Sequence, residues 1–183
     1  PTIQIRDGIE IHLSSGERVV ADASAPNGDI SVVSHAHGDH LYNTPPAEVI
    51  CSEATRALAA ERRSDKAEPA ITSDPRITLH NAGHVPGSRA TLIDDDGTRI
   101  LYTGDLSIRD RFYLDGFEPM SADILIIEAT YGKPEYDLPP QETVHRDILS
   151  LLNDSYDTPI IAFGYTLGRG QELIQLGMKS DRE

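Results

Sequence analysis

A histidine-rich segment, SHAHGDHLY at residues 34–42, constrains this chain more than any other part of its sequence. It follows the apolar run ISVVS at residues 30–34, which has the composition of a buried strand. Ligand sites of α/β folds gather at the C-terminal ends of strands, so its position also favours a binding site. His35 and His37 are two residues apart, so in an extended chain both imidazoles project to the same side.

The second half of the segment adds a carboxylate and another imidazole. Gly38 permits a sharp bend, after which Asp39 and His40 can face a second point in space. Three nitrogens and a carboxylate suit Zn²⁺, and Mn²⁺ or Fe²⁺ would also accept them. A solvated histidine-rich turn is the alternative, but the pattern HxHxDH directly after a buried strand favours a metal site.

The rest of the sequence predicts one α/β domain. The chain has 183 residues and 38% hydrophobic residues, which is enough to bury a core. Helices are predicted at residues 52–63, 139–152 and 167–177, and Ser52 is a plausible N-cap. Strands are predicted at residues 3–6, 9–13, 18–22, 30–34, 76–80, 89–94, 98–102, 122–129 and 158–163, with a hairpin turn at 94–97. Antiparallel strands mixed with βα segments predict an α/β sandwich, with sheets inside and helices outside.

The charge balance is strongly acidic. Thirty acidic residues against sixteen basic ones give a formal net charge of −14, and only three of the bases are lysine. Such a surface is typical of halophilic proteins, whose self-repulsion is screened by salt; an ordinary acidic protein is the alternative. A nucleic-acid enzyme usually shows a basic patch, and none is obvious in this sequence.

Cysteine use and hydropathy bear on location. A single cysteine, Cys51, excludes an internal disulfide framework, fits a reducing cytoplasm and is predicted to be a buried strand residue. No apolar stretch approaches the roughly 18 residues of a membrane span, and the first residues show no secretory signal. We therefore expect a cytoplasmic protein that does not bind a membrane.

HAHGDH resembles the second motif of the metallo-β-lactamase superfamily, whose members bind two metal ions at the edge of an αββα sandwich. NAGHVPGS (81–88) and ILYTGD (100–105) match later motifs of that family, with His84 and Asp105 as candidate ligands. VVADA matches a strand-end aspartate that orients the histidines without binding metal, with Asp22 as the candidate. The resemblance implies that one metal binds His35, His37 and His84, that the other binds Asp39 and His40, and that Asp105 spans both.

Two later segments resemble the β-CASP nucleases, a group within that superfamily. They are ADILIIEATYG (122–132) and FGYTLGRGQELIQ (163–175). Glu128 corresponds to the acidic residue of the group's first motif, which implies that it orients a histidine donating a proton to the leaving oxygen. The group's two later motifs, usually histidines, would lie beyond residue 183. The resemblance implies a metallo-β-lactamase domain over 1–165 and the start of a β-CASP-type segment over 166–183.

The resemblance implies a metal-dependent ribonuclease in mRNA 3′-end or other RNA processing. Its substrate would be RNA or single-stranded DNA, its cofactor two Zn²⁺ ions, its catalytic groups Asp39 and Glu128, and a homodimer is compatible with it. A DNA nuclease, a thioesterase or lactonase, and a non-catalytic RNA-binding subunit are the alternatives. Tyr131 and Arg169 are weaker candidates for substrate contact, and a local salt bridge is the alternative for Arg169. The other three histidines are expected to be structural or solvent-facing: His12, His80 and His145.

Overall fold

A computed structural model describes residues 1–66, 68–154 and 157–182 as an α/β fold with two mixed four-stranded sheets. In the first sheet three antiparallel strands are followed by one parallel strand: β1 (Thr2–Arg6), β2 (Gly8–His12), β3 (Arg18–Ala21) and β4 (Ile30–Val32). The second sheet has the order β10-β9-β8-β7, built from β7 (Ile77–Asn81), β8 (Arg89–Asp95), β9 (Thr98–Tyr102) and β10 (Ile124–Ile126). A short parallel pair joins β5 (Glu48–Val49) to β6 (Ala70–Ile71).

The main core lies between the two large sheets. It joins Ile11 and Val19 of the first sheet to Ile93 and Ile100 of the second, and all four are fully buried. Burying an aliphatic side chain of this size contributes about 1.5–3 kcal/mol. Alternation along each strand directs these residues inward, so the packing of the sheets follows from the period-two pattern of the sequence.

Three helices accompany the sheets within the described residues: α1 (Glu53–Arg62), α2 (Gln141–Asp154) and α3 (Arg169–Lys179). The predicted cap of α1 is confirmed, because the Ser52 hydroxyl accepts a hydrogen bond from the Thr55 amide at 3.0 Å. Helices α2 and α3 pack against each other. No helix in the described ranges is long and apolar enough to cross a bilayer.

The predicted hairpin at residues 94–97 is confirmed between β8 and β9. Asp96 and Gly97 both have positive φ, at 54° and 82°, as the tight turn of a two-residue hairpin requires. Cys51 is buried as predicted, although it lies just after β5 and not within a strand. Burial raises the pKa of its thiol to about 11, so the thiol is protonated at neutral pH.

The strand predicted at residues 158–163 is wrong. These residues form no strand, and Ile161 and Phe163 are 78% and 90% exposed. Strand β10 is also shorter than the predicted 122–129. Leu125, within the strand, and Ile127, just after it, are both more than half exposed. Apolar composition favours a strand only where a neighbouring strand and a packing layer receive it. The outer edge of β10 lacks such a neighbour among the described residues.

Candidate metal centre

Three loops that follow strands converge on one region of the molecule. His35 and His37 follow β4, and a single 3₁₀ turn at Gly38–His40 continues that loop. His84 lies in the loop between β7 and β8, and Asp105 follows β9. The region therefore forms where the C-terminal ends of strands from both large sheets meet, the usual place for ligand sites in α/β folds.

Four ligand atoms face one point, and we call their residues the first ligand group. Nδ1 of His37 lies 3.0 Å from Nε2 of His35 and 3.2 Å from Nε2 of His84. Oδ2 of Asp105 lies 3.8 Å from His35 Nε2 and 3.5 Å from His84 Nε2. Ligand atoms around a tetrahedral zinc ion, with bonds of about 2.0–2.1 Å, are roughly 3.3 Å apart. The atoms and their spacing therefore fit a tetrahedral cation.

The other oxygen of Asp105 faces a second ligand group, formed by His40 and Asp39. Nε2 of His40 lies 3.4 Å from Asp105 Oδ1 and 3.9 Å from Asp39 Oδ2. The side chain of Asp39 is 82% exposed, whereas that of His35 is fully buried. The Asp105 carboxylate thus stands between the three histidines of the first ligand group, of which only His35 is fully buried, and the pair of His40 and Asp39, of which only Asp39 is largely exposed.

Hydrogen bonds on the far side of each ring fix the tautomers of His35 and His40. The Ser34 hydroxyl donates its only proton to Asp22, so it accepts at 2.9 Å from His35 Nδ1–H. The Asp22 carboxylate accepts from His40 Nδ1–H at 2.8 Å. The Nδ1–H of each ring is therefore held by a hydrogen bond, and Nε2 is the nitrogen turned toward the ligand groups, as in metal-binding histidines.

His37 has the opposite tautomer to His35 and His40. Its Nε2–H donates to the carbonyl of Leu167 at 3.2 Å, so the unprotonated nitrogen is Nδ1, and this atom faces His35 and His84. Leu167 lies 130 residues along the chain, just before α3. The FGYTLGRGQELIQ segment therefore contributes to the centre through a backbone carbonyl, which its side-chain pattern did not predict.

The Asp22 carboxylate joins the hydrogen bonds that orient His35 and His40. Its two oxygens accept hydrogen bonds from the Ser34 amide at 2.7 Å, the Ser34 hydroxyl, His40 and the Tyr102 hydroxyl at 2.7 Å. Asp22 is 8% exposed and has a φ of 51°, a left-handed conformation that non-glycine residues adopt at a cost. The sequence placed Asp22 near the histidines, but Ser34 and Tyr102 were not singled out, although both lie within the quoted segments.

Burial and neighbouring charges set the protonation states of the ligands. Burial, with the adjacent histidines, lowers the pKa of His35 to about 2 and that of His84 to about 4, so both are neutral at pH 7. Burial also lowers the pKa of His40, but the hydrogen bond and charge of Asp22, with other nearby carboxylates, raise it overall. Burial raises the pKa of Asp105, and the charges of Glu128 and Asp39 add to this effect. The protein therefore concentrates negative charge where a cation would relieve it.

Glycines allow the loops to approach this closely. Gly83 precedes His84 with a φ of 68°, and a Cβ there would collide with the Ser107 carbonyl. Gly104 precedes Asp105 with a φ of 53°, and a Cβ there would lie 2.6 Å from the side chain of Ser34. Both positions need the left-handed backbone that glycine adopts without a steric cost.

Arg111 is hydrogen-bonded to the loop that contains His84. Its Nη2 donates to the carbonyls of Gly83 and His84, and burial lowers the pKa of the guanidinium. Two residues on, the Tyr113 hydroxyl donates to the Gly168 carbonyl at 2.7 Å. The loop after Asp105 is therefore hydrogen-bonded both to the loop that contains His84 and to the segment that contacts His37. This role of Arg111 was not predicted from its sequence context.

Replacing Arg111 with methionine is expected to loosen His84 while leaving the four ligand atoms present. Two carbonyls lose a donor, which costs about 1–3 kcal/mol of folding free energy, and metal affinity falls on the order of 10-fold. Chelator competition and urea unfolding measure the two effects. Arg109→Met is the matched control, because Arg109 also donates to two carbonyls but at Leu138 and Pro139. Equal metal affinity in the two variants would contradict a role for Arg111 at the centre.

Glu128 and Tyr131 were the other candidates for a role in catalysis or substrate contact, and they differ in burial and in partners. Glu128 is half-buried at the end of β10 and accepts from the amides of Leu106 and Thr130, at 3.2 and 3.1 Å. These hydrogen bonds outweigh burial and lower its pKa, so Glu128 is ionised at neutral pH. Tyr131 is 62% exposed and contacts only the ring of Tyr136 among the described aromatic residues.

Arg169 and the other histidines have local partners. Arg169 forms an ion pair of 2.5 Å with Glu172 on α3, which is the local alternative considered for it. His145 lies 2.9 Å from the same carboxylate and stacks on Phe112, so it is a structural residue as predicted. His12 lies 3.6 Å from Glu10 within the first sheet, and His80 lies on β7; the structure brings neither to the ligand groups.

Comparisons with known proteins identify relatives of this chain. No family model matches the chain. The chain is 35% identical, over 79% of its length, to a probable DNA ligase of Opitutus terrae. It is 27% identical over 80% of its length to an RNase J-like protein of Methanocaldococcus jannaschii, and 29% identical over 84% to cleavage and polyadenylation specificity factor subunit 3 of Dictyostelium discoideum. These matches cover 15%, 42% and 25% of the three relatives, so the chain spans less than half of each.

The chain is therefore related to the metallo-β-lactamase superfamily, as the order of its motifs indicated. Within that superfamily the RNase J-like protein and the polyadenylation factor subunit are nucleases of the β-CASP group.

Proposed function

We propose that this chain forms the metal-binding part of a ribonuclease that acts in mRNA 3′-end or other RNA processing and uses two Zn²⁺ ions. The observation that carries the proposal is the position of Asp105. One of its oxygens lies 3.8 Å from His35 Nε2 and 3.5 Å from His84 Nε2, and the other lies 3.4 Å from His40 Nε2. A carboxylate shared in this way is how two-metal hydrolases hold their cations as a pair.

In this proposal His35, His37, His84 and Asp105 would hold one cation, and Asp39, His40 and Asp105 would hold the other. A pair of such cations supplies hydroxide at neutral pH and stabilises charge on the attacked phosphate. Imidazole and carboxylate ligands suit Zn²⁺, and they also admit Mn²⁺ or Fe²⁺. Asp22 orients His35 through Ser34 and His40 directly, so it acts as a positioning residue.

Asp39 and Glu128 have different parts in the proposed reaction. Asp39 is the exposed member of the second ligand group, so its oxygens are open to incoming substrate and water. Glu128 is ionised and held by two amides beside Asp105, which suits a group that accepts or orients a proton donor. We propose that Glu128 orients a histidine that donates a proton to the leaving oxygen.

Two mixed sheets share a core, and α1 packs through Ala59 onto a neighbouring cluster, which supports an αββα metallo-β-lactamase sandwich. We propose that this domain comprises residues 1–165 and that 166–183 begin a β-CASP-type segment. Leu167, near the start of this segment, accepts a hydrogen bond from His37, so the segment reaches the first ligand group.

The proposed substrate rests on the relatives. The RNase J-like protein and the polyadenylation factor subunit carry RNA-related names, which supports RNA as the substrate class. DNA is the second candidate, because the relative with 35% identity is named a probable DNA ligase. A nuclease segment within a DNA-joining protein would act on DNA, so the two candidates differ in the sugar they must accept.

The proposal predicts metal-dependent cleavage of a nucleic-acid strand. Zn²⁺-loaded or Mn²⁺-loaded protein is expected to cleave a labelled RNA, and EDTA is expected to abolish the cleavage. A DNA strand of the same sequence, run in parallel, tests the second candidate. Asp39→Ala removes an exposed ligand without disturbing the core and should lower the rate about 100-fold or more.

Asp147→Ala is the matched control, because Asp147 is also exposed, at 64%, and pairs only with its neighbour Arg146 among the described contacts. Cleavage that persists in EDTA, or that is equal in the Asp39 and Asp147 variants, would defeat the proposal. Hydrolysis of a glutathione thioester at the same rate as the nucleic acids would instead favour a small-molecule hydrolase.

A further inference from the structure

A cavity of about 430 Å³ adjoins the second ligand group. It is lined by Gly38, Leu41, Tyr42, Asn43, Arg62 and Arg63. Gly38 lies between the ligand residues His37 and Asp39, so the cavity opens beside the loop that holds the candidate metal ions. Two of its lining residues are arginines at the end of α1, and no carboxylate is among the six. We call it the arginine cavity.

Arg62 presents its charge to this cavity. Its side chain is exposed, Nη1 donates to the Thr166 hydroxyl at 3.2 Å, and Nη2 lies 4.0 Å from where a Cβ on Gly38 would be. Within the described part of the chain no acidic side chain pairs with Arg62, although the sequence contains 30 acidic residues. Two or more of its N–H groups are therefore available to a ligand.

Other arginines near the centre are committed to internal partners. Arg63 forms an ion pair of 2.6 Å with Asp65 and donates to the carbonyls of Tyr42 and Asn43. Arg169 pairs with Glu172 at 2.5 Å, and Arg111 donates to backbone carbonyls. Arg63 thus builds the wall of the arginine cavity, while Arg62 keeps an unpaired guanidinium facing into it.

We propose that the arginine cavity binds a phosphate group inside the nucleic-acid strand, next to the phosphate attacked at the metal ions. The inference rests on the proposed function and adds a substrate contact to it. A guanidinium binds phosphate oxygens through paired N–H groups. A phosphate group is therefore a better ligand for Arg62 than a neutral carbonyl or amide group would be. A chain with a net charge of −14 repels a polyanion overall. An arginine without an acidic partner beside the ligand groups supplies a local attraction for the strand.

The test compares Arg62→Met with Arg146→Met, which removes the same charge from an arginine that is 71% exposed on α2. With a labelled RNA or DNA strand, Arg62→Met should raise KM on the order of 10-fold and leave kcat within about twofold. The slope of log affinity against log salt should fall by about 0.7, the value for one lost phosphate contact on a single strand. Arg62→Lys should recover part of the loss in KM.

Binding to the metal-free protein separates this inference from the proposed function. Fluorescence anisotropy in EDTA should show weaker binding and a lower salt slope for Arg62→Met than for Arg146→Met. Binding through Arg62 without hydrolysis by the metal-loaded protein would support the cavity and defeat the nuclease. Hydrolysis with equal KM and salt slope in the two variants would overturn the cavity and leave the nuclease standing. An effect of Arg62→Met confined to strands with a 5′-phosphate would also overturn the proposal, because the cavity would then hold a terminal phosphate.

Discussion

Replacing Asp105 with alanine is expected to lower the rate of phosphodiester hydrolysis about a thousand-fold or more. The substitution removes the oxygen 3.4 Å from His40 and the oxygen 3.5 Å from His84, so both proposed cations lose a ligand at once. Loss of electrostatic stabilisation at one position of a hydrolytic site typically costs about 100- to 1000-fold, and here two cations are affected. Initial rates on a labelled strand and elemental analysis of the dialysed protein measure the effect and its cause.

The same substitution should not weaken the metal-free fold. Burial raises the pKa of Asp105, and a carboxyl whose folded pKa is raised costs stability wherever it is ionised in the folded protein. In EDTA at pH 7, Asp105→Ala should therefore unfold at the same temperature as the unchanged protein or at a higher one. Asp115→Ala, an exposed carboxylate of the same loop, controls for the loss of one charge. Metal content equal in the two variants would refute the bridging role.

The candidate site could be predicted from sequence because its ligands lie in short local patterns. HxHxDH concentrates four ligands within six residues, and the strand before it has a clear apolar composition. His84 and Asp105 were found because each follows a strand within a motif of its own. Spacing alone could not show that these three loops meet, since that depends on β4 and β9 lying in facing sheets. The order of the motifs supplied that information.

The supporting contacts could not be predicted because they cross long stretches of chain. Tyr102 reaches Asp22 across 80 residues, and Leu167 reaches His37 across 130. A lone tyrosine or a backbone carbonyl carries no local pattern that marks such a partner. The incorrect strand at 158–163 has a related cause. Its composition resembles a buried strand, but burial is a property of the surrounding structure and not of the segment.

Asp22→Ala is expected to produce the largest loss of stability among the residues of the site. Four donors converge on this carboxylate, whose side chain is 4% exposed, and alanine leaves all of them without their acceptor. Removing one partner from a buried charged network costs about 3–5 kcal/mol. Urea unfolding of the metal-free protein measures the change. Asp29→Ala, at an exposed aspartate that accepts from the Arg18 amide, controls for the loss of a backbone contact.

Tyr102→Phe separates the stability effect from the effect on the metal ligands. It removes one of the four donors and keeps the carboxylate, so it should cost only about 0.5–1.5 kcal/mol and leave metal affinity nearly unchanged. Asp22→Ala should also leave Nδ1 of His40 without its acceptor, so that the tautomer of His40 is no longer fixed. Metal binding should therefore weaken by about 10- to 100-fold. If Asp22→Ala lost stability but kept full metal affinity, Asp22 would be a folding residue alone. Metal loss in Asp22→Ala without metal loss in Tyr102→Phe would assign the orientation of His40 to the carboxylate itself.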